Sequence, residues 1–198
     1  MTYAIVVVGY NRVAEMKRLF TSLYNSKLRN IKADLIVSLD YSCMQEKLKK
    51  MAEQFEWKHG NKTIRAFSEK QGLRKHILQC GDLTERYDAV IVLEDDLVVA
   101  EGFMQYVVAA VEAYKDDDKI AGISLYTHQT NPGNGRFFEA QFNGYDVFMM
   151  QYAQSWGQCW TRKMWTGFIE WYSLQGDELV ADEKFPNYIA CWNKQSWL

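Results

Sequence analysis

The chain has 198 residues, 48% of them hydrophobic and 24% charged, the size and balance of one globular domain that buries its own core without staples. A formal net charge of −2, made of both signs spread along the chain, points to neither a nucleic acid nor an anionic bilayer as partner, so any nucleotide has to be met by a local site. Cys43, Cys80, Cys159 and Cys191 are far apart with no Cys-x-x-Cys pair, which argues against zinc and fits reduced, mostly buried thiols in a cytoplasmic protein.

In chain order, YAIVVVG is a continuous apolar run, as expected of a strand covered on both faces. It is too short for a signal sequence or a bilayer span, and no later apolar run approaches the required length. Asn11 is placed to cap a helix whose inner face carries Val13, Met16, Leu19, Phe20 and Leu23. ADLIVSLD (33–40) is expected as a second strand, followed by Ser42 as a cap and a helix with Met44, Leu48, Met51 and Phe55 on one face. TIRAF (63–67) makes a third strand, LRKHILQCGDL a short helix and AVIVL (89–93) a fourth strand. Phe103, Tyr106, Val107, Ala110, Val111 and Tyr114 mark an amphipathic helix, and AGISLY (121–126) a fifth strand. This alternation predicts an α/β fold with a mostly parallel sheet and helices on both faces. From Thr127 the pattern changes to a turn-rich loop, TNPGNGR, a strand over VFMMQY and an aromatic helix over TRKMWTGFIEWY. We expect a functional subdivision there, 1–126 and 127–198, inside a single domain.

Ligands of open α/β sheets bind beyond the carboxyl ends of the strands. Those ends carry Tyr10, Asn11 and Arg12 after the first strand, Asp40 after the second, Gly72-Leu73-Arg74-Lys75 after the third and Glu94-Asp95-Asp96 after the fourth. Three carboxylates in a row at the end of a buried strand repel unless hydrogen bonds or a cation compensate them. A hard divalent ion held by one or two carboxylates, with phosphate and water completing its shell, is the natural partner. An acidic triplet is often only a solvated loop, and Asp116-Asp117-Asp118, between a helix and the next strand, supplies an internal control of that kind.

With these residues in view, the chain resembles GT-A-fold glycosyltransferases, whose Rossmann-like domain handles nucleotide-diphospho-sugars. The resemblance is carried by VVVGYNR, SLD, EKQGLRKHIL and the D-x-D-like VLEDDLVVAEGF. GYDVFMMQYAQSWGQCWTRKMWTGFIEWY is similar to bacterial cell-surface-polysaccharide glycosyltransferases, and E-D-D with its following apolar residues more distantly resembles N-acetylglucosaminyltransferase I. The resemblance implies a UDP-sugar donor with Mn2+ or Mg2+, and a glycan or lipid-linked saccharide as acceptor, met in the cytoplasm or at the inner face of the membrane. It implies Asp96 as the direct metal ligand and Glu94 and Asp95 as donor contacts. Asp40 would face the base and Arg74 the base or diphosphate, with Tyr10, Asn11 and Arg12 lining the nucleotide floor. Trp156, Trp160 or Tyr152 can present a flat face to a sugar, whereas Trp165, Phe168, Ile169 and Tyr172, at helical spacing, are expected in the core.

An inverting transferase also needs a carboxylate to take the acceptor's proton. Downstream acids are Asp177, Glu178, Asp182 and Glu183, of which Asp182 is our candidate, while CWNKQSWL offers Asn193 and Ser196 where the resemblance leads us to expect an acid. Relatives implied by the resemblance run further, so we also expect the acceptor-side half to be C-terminally truncated. Two alternatives stand beside the transferase. One is an inactive sugar-nucleotide or glycan-binding module. The other, a sugar-1-phosphate nucleotidyltransferase, would need a glycine-rich basic loop where this chain has GYNR.

Overall fold

The structure, a computed structural model, describes residues 1–130, 134–150 and 154–175. Four βα alternations open the chain: β1 (Tyr3–Gly9), α1 (Val13–Asn25), β2 (Asp34–Leu39), α2 (Gln45–Gln54), β3 (Lys62–Ala66), α3 (Leu73–Gly81) with a 3-10 turn over Asp82–Glu85, β4 (Ala89–Glu94) and α4 (Phe103–Tyr114). The edge strand β5 (Ile123–Ser124), β6 (Gln158–Thr161) and α5 (Arg162–Gln175) follow. Among the described residues the sheet has six strands, in the order β3-β2-β1-β4-β6-β5. Strands β1 to β4 are parallel, and β6 runs antiparallel to both β4 and β5. The fold class is α/β, with a mostly parallel sheet flanked by helices, as expected.

Every residue of β1 is buried, because helices cover both faces of the central strands. On one face, Gly9 lies so close to Met16 of α1 that an added Cβ would sit 2.2 Å from its methyl group, and Phe20 of α1 stacks on Phe55 at the end of α2 with centroids 4.5 Å apart. α4 reaches the same side, where the Gln105 amide donates to the Lys27 carbonyl. On the other face, Ser38 of β2 meets His76 of α3 at 2.6 Å, and Trp160 of β6 packs on Trp165 of α5 with centroids 4.8 Å apart. One apolar core joins β1, β2, β4 and the inner faces of the helices.

Several local expectations are corrected. Asn11 does not cap α1: Arg12 takes the N-cap position without a side-chain cap bond. Ser42 stands ahead of α2 rather than at its cap, which is Met44; its hydroxyl accepts the Met44 N–H at 3.2 Å and donates to the Tyr10 carbonyl. Placed at the cap, Met44 is exposed instead of facing the core. Tyr106 is exposed too, with its hydroxyl donating to the Ser124 carbonyl at 3.1 Å. The strand expected over 121–126 shrinks to the two residues of β5 at the sheet edge, and 147–150 is not a strand. The strand that does form is QCWT, β6, which inserts between β4 and β5. Of the aromatic face of α5, Trp165 is buried, Phe168 and Ile169 pack against the core from its margin, and Tyr172 meets Arg74.

Candidate functional site

The carboxyl ends of β1, β2 and β4 are tied into one polar network. The Asp40 N–H donates to the Gly9 carbonyl at 2.9 Å, joining the ends of β1 and β2. The Tyr10 N–H donates to Asp95 Oδ2 at 3.4 Å, joining β1 to the loop after β4. Arg12 closes the same gap with charge: its Nε lies 3.2 Å from Asp95 Oδ1, and its Nη1 donates to Asp96 Oδ2. One guanidinium thus spans two neighbouring carboxylates, a geometry to which the planar fork of arginine is suited. The Arg12 side chain is 49% exposed, Asp96 40% and Asp95 only 4%, so the bridge runs from a buried anion to the surface.

These positions set the electrostatics. Glu94 is pushed up to about 7 by its burial and then by the Asp96 charge, against the opposing pull of Arg12. Burial also raises Asp95, outweighing Arg12 and the Tyr10 N–H. Arg12 is held more firmly in its charged form because Asp95 and Asp96 outweigh its partial burial. Burial thus favours the neutral forms of Glu94 and Asp95, and Arg12 opposes it at both. The control triplet differs in each respect: Asp116, Asp117 and Asp118 are exposed, Asp117 Oδ1 accepts the Lys119 N–H at 2.8 Å, and Asp118 pairs with Lys163 at 2.5 Å.

Asp40 is buried and its carboxylate is engaged by the protein. Oδ1 accepts the N–H groups of Tyr41 at 2.8 Å and Gln71 at 2.7 Å, and Oδ2 accepts that of Gly72 at 3.0 Å. It braces the loop that leads into α3. Gly72, at φ 77 and ψ 156, occupies a region open to glycine alone, so the brace and the glycine together set where α3 begins. Arg74, in the first turn of α3, donates its Nε–H to the Tyr172 hydroxyl and stacks over that ring with its guanidinium carbon 5.1 Å from the centroid. The structure therefore brings Tyr10, Arg12, Asp40, Glu94, Asp95 and Asp96 to one rim, while Arg74 is turned toward α5. Asn11 is exposed beside Arg12.

Trp156 reaches the rim from the far side. β6 pairs Gln158 with Val92 in antiparallel register, so the turn that carries Trp156 leaves β6 at the end where β4 runs on to Glu94. Gly157, at φ 75, makes that turn against Leu93 and Leu125. Trp156 is 45% exposed and meets Tyr126 edge-on at 4.8 Å and His128 at 5.9 Å. Gln154 is buried beneath, with its amide on His128 and its Oε1 accepting the Trp156 N–H at 3.2 Å. Tyr126, His128 and Gln154 were not singled out by sequence, since nothing in their local pattern shows that β5 and β6 fold side by side. Gln71 was likewise missed, although it stands inside EKQGLRKHIL, and Tyr172, expected in the core, instead meets Arg74.

Asp182, Tyr152, Cys191, Asn193 and Ser196 lie outside the described residues. Among the described residues no three His, Cys, Asp or Glu side chains gather into a ready-made metal cage, and no helix is long and apolar enough to cross a membrane.

No protein-family model matches the chain, and no curated protein matches it. Among solved structures it is similar to TarS of S. aureus, with 12% identity over 58% of this chain and 33% of that one at a TM-score of 0.45; another TarS structure holds UDP-GlcNAc. It is also similar to the mannosyltransferase PcManGT from Pyrobaculum calidifontis in complex with GDP-Man and Mn2+, with 12% identity over 64% of this chain and 36% of that one at a TM-score of 0.48. The chain spans about a third of the length of these proteins. The likeness is one of fold alone.

Proposed function

We propose that the protein is a metal-assisted GT-A-fold glycosyltransferase that moves a sugar from a nucleoside diphosphate, UDP in the first instance, to a glycan or lipid-linked saccharide. The observation that carries this reading is the convergence of Arg12, Asp95 and Asp96 with the ends of β1, β2 and β4, at the rim where such sheets take ligands. In this reading residues 1–126 take the donor and 127–198 the acceptor, in the reducing setting of the cytoplasm.

The donor set fits a divalent cation. All its atoms are hard carboxylate oxygens, and one protein cation, Arg12, already lies against two of the three carboxylates. Asp96, the most exposed of the three, would hold Mn2+ or Mg2+. Bound there, the ion would supply positive charge where a departing diphosphate gathers negative charge. Glu94 and Asp95 would orient the donor, Tyr10 and Asn11 would floor the nucleotide, and Asp40 would position the loop into α3 along which the base would lie. Trp156, with Tyr126 beside it, would offer its exposed face to a sugar. Proton removal from the acceptor is assigned to Asp182.

The test is thermal stabilisation by UDP-, GDP- and CMP-sugars with and without Mn2+, since a ligand of the native state raises its melting temperature by mass action. Asp96→Ala is expected to abolish the Mn2+-dependent part of the shift, while Asp117→Ala leaves it intact. Equal responses from the two variants would defeat the assignment. A second reading, a module that binds donor without transferring it, rests on CWNKQSWL, which offers Asn193 and Ser196 where the resemblance leads us to expect an acid. Release of free nucleoside diphosphate in the presence of acceptor separates the two.

A further inference from the structure

Arg12 pairs with Asp95 and Asp96, and it is the most exposed of these three side chains. It stands at the N-cap of α1 with no cap bond of its own, its side chain is half exposed, and its two anionic partners are both on the loop after β4. Asp95, by contrast, is fixed on its other oxygen by the Tyr10 N–H at 3.4 Å. A divalent cation approaching Asp96 meets the Arg12 guanidinium on Asp96 Oδ2, and two cations cannot share that oxygen without repulsion.

We propose that Arg12 is an exchangeable counter-ion, which a divalent cation displaces from Asp96 and which then moves to the diphosphate of the donor. The proposal rests on the donor reading above and adds a coupling to it. Metal alone has to evict Arg12; a diphosphate alone has to draw Arg12 away and leave Asp96 uncompensated. Together each removes the obstacle to the other, so metal and diphosphate bind with positive cooperativity, and by linkage the factor is the same in both directions.

The experiment measures Mn2+ binding by loss of the free-ion electron paramagnetic resonance signal, and UDP binding by tryptophan fluorescence at zero and saturating Mn2+. The Mn2+–UDP complex formed in solution is the same correction for every variant. Arg12→Ala is expected to bind Mn2+ alone about tenfold more tightly than the wild type, and to lose a similar factor from the cooperativity between Mn2+ and UDP. Arg12→Lys keeps a charge beside buried Asp95, and so keeps the fold, but cannot span both carboxylates; it is expected to shift in the same direction by less. Arg12 variants that bind Mn2+ alone no more tightly, or more weakly, would overturn the exchange and leave Arg12 as a strut for the loop. Tighter Mn2+ with undiminished cooperativity would overturn the transfer to the diphosphate. A wild type and variants that bind neither Mn2+ nor UDP, alone or together, would sink the donor reading and this inference with it.

Discussion

Ser38, inside β2, shares its hydroxyl between His76 Nε2 at 2.6 Å and Arg65 Nε at 3.0 Å, and His76 is buried beside them. Burial lowers His76 to about 4, with the Arg65 charge acting in the same direction and Asp40 opposing. Because the folded value lies below the unfolded 6.5, the associated stability is fully present above pH 6.5 and is lost as pH falls from there to about 4. The full effect is roughly 3 kcal/mol. His76→Gln is expected to flatten the pH dependence of urea midpoints in that window, and parallel wild-type and variant profiles would show that His76 is not its source. Asp40 makes a different prediction. Its carboxylate accepts three backbone N–H groups, so Asp40→Ala should cost about 2 to 4 kcal/mol of stability, as charge-assisted bonds to a buried acceptor do. Urea unfolding measures it, and a change under 1 kcal/mol, by roughly the net value of a single neutral bond, would mean that the loop into α3 holds without the brace.

Two helices on the same face, α3 and α5, meet where α3 ends. A Cβ added at Gly81 would lie 2.2 Å from the ring of Trp165, and that ring cannot easily retreat. It is buried, packed against Trp160 and Phe168, and its Nε1–H donates to Asp82 Oδ1 at 3.0 Å. Gly81→Ala is therefore expected to destabilise by about 1 to 3 kcal/mol, the usual cost of overfilling a packed core. The cost should be largely absent when Trp165→Phe already makes room. A double-mutant cycle by chemical denaturation measures this coupling, and additive effects would contradict it. Arg162 strengthens the same junction, with Nε donating to the Thr84 carbonyl at 2.9 Å and Nη2 to that of Glu85 at 3.0 Å.

For the whole molecule, the decisive element is β6, which comes late in the chain but pairs with β4 in the middle of the sheet from Ala89–Thr161 to Val92–Gln158. The proposed donor-binding half, 1–126, thus owes one neighbour of β4 to the acceptor-side half. It also owes it Trp160, Met164 and Trp165 in the core. A fragment of residues 1–126 would expose the edge of β4 and the apolar face beside it, conditions under which strands self-associate. We expect that fragment to aggregate or unfold without a cooperative transition in size-exclusion chromatography and circular dichroism, whereas the full chain unfolds cooperatively. A monomeric 1–126 with a sharp transition would show two independent units instead.

From the amino-acid sequence alone follow the elements whose apolar periodicity is long and unbroken: β1, α1, β2, β4 and α4, and with them the parallel half of the sheet. That Tyr10, Arg12, Asp40 and Glu94 to Asp96 share one rim was legible for the same reason, because a strand's end fixes which loop residues lie beyond the sheet. Capping was less legible: Arg12, not Asn11, stands at the N-cap of α1, and its guanidinium bridges Asp95 and Asp96 instead of capping the helix. Only the tertiary structure decided that QCWT, with polar residues at both ends and no marked alternation, would be a strand, since its stability comes from two neighbours distant in sequence. It also decided that Asp40 would serve the loop into α3 and that Arg74 would lie against Tyr172, 98 residues away. Local pattern reports which residues are buried and where strands stop, whereas the partners of a charged side chain depend on which distant segments the packed fold sets beside it.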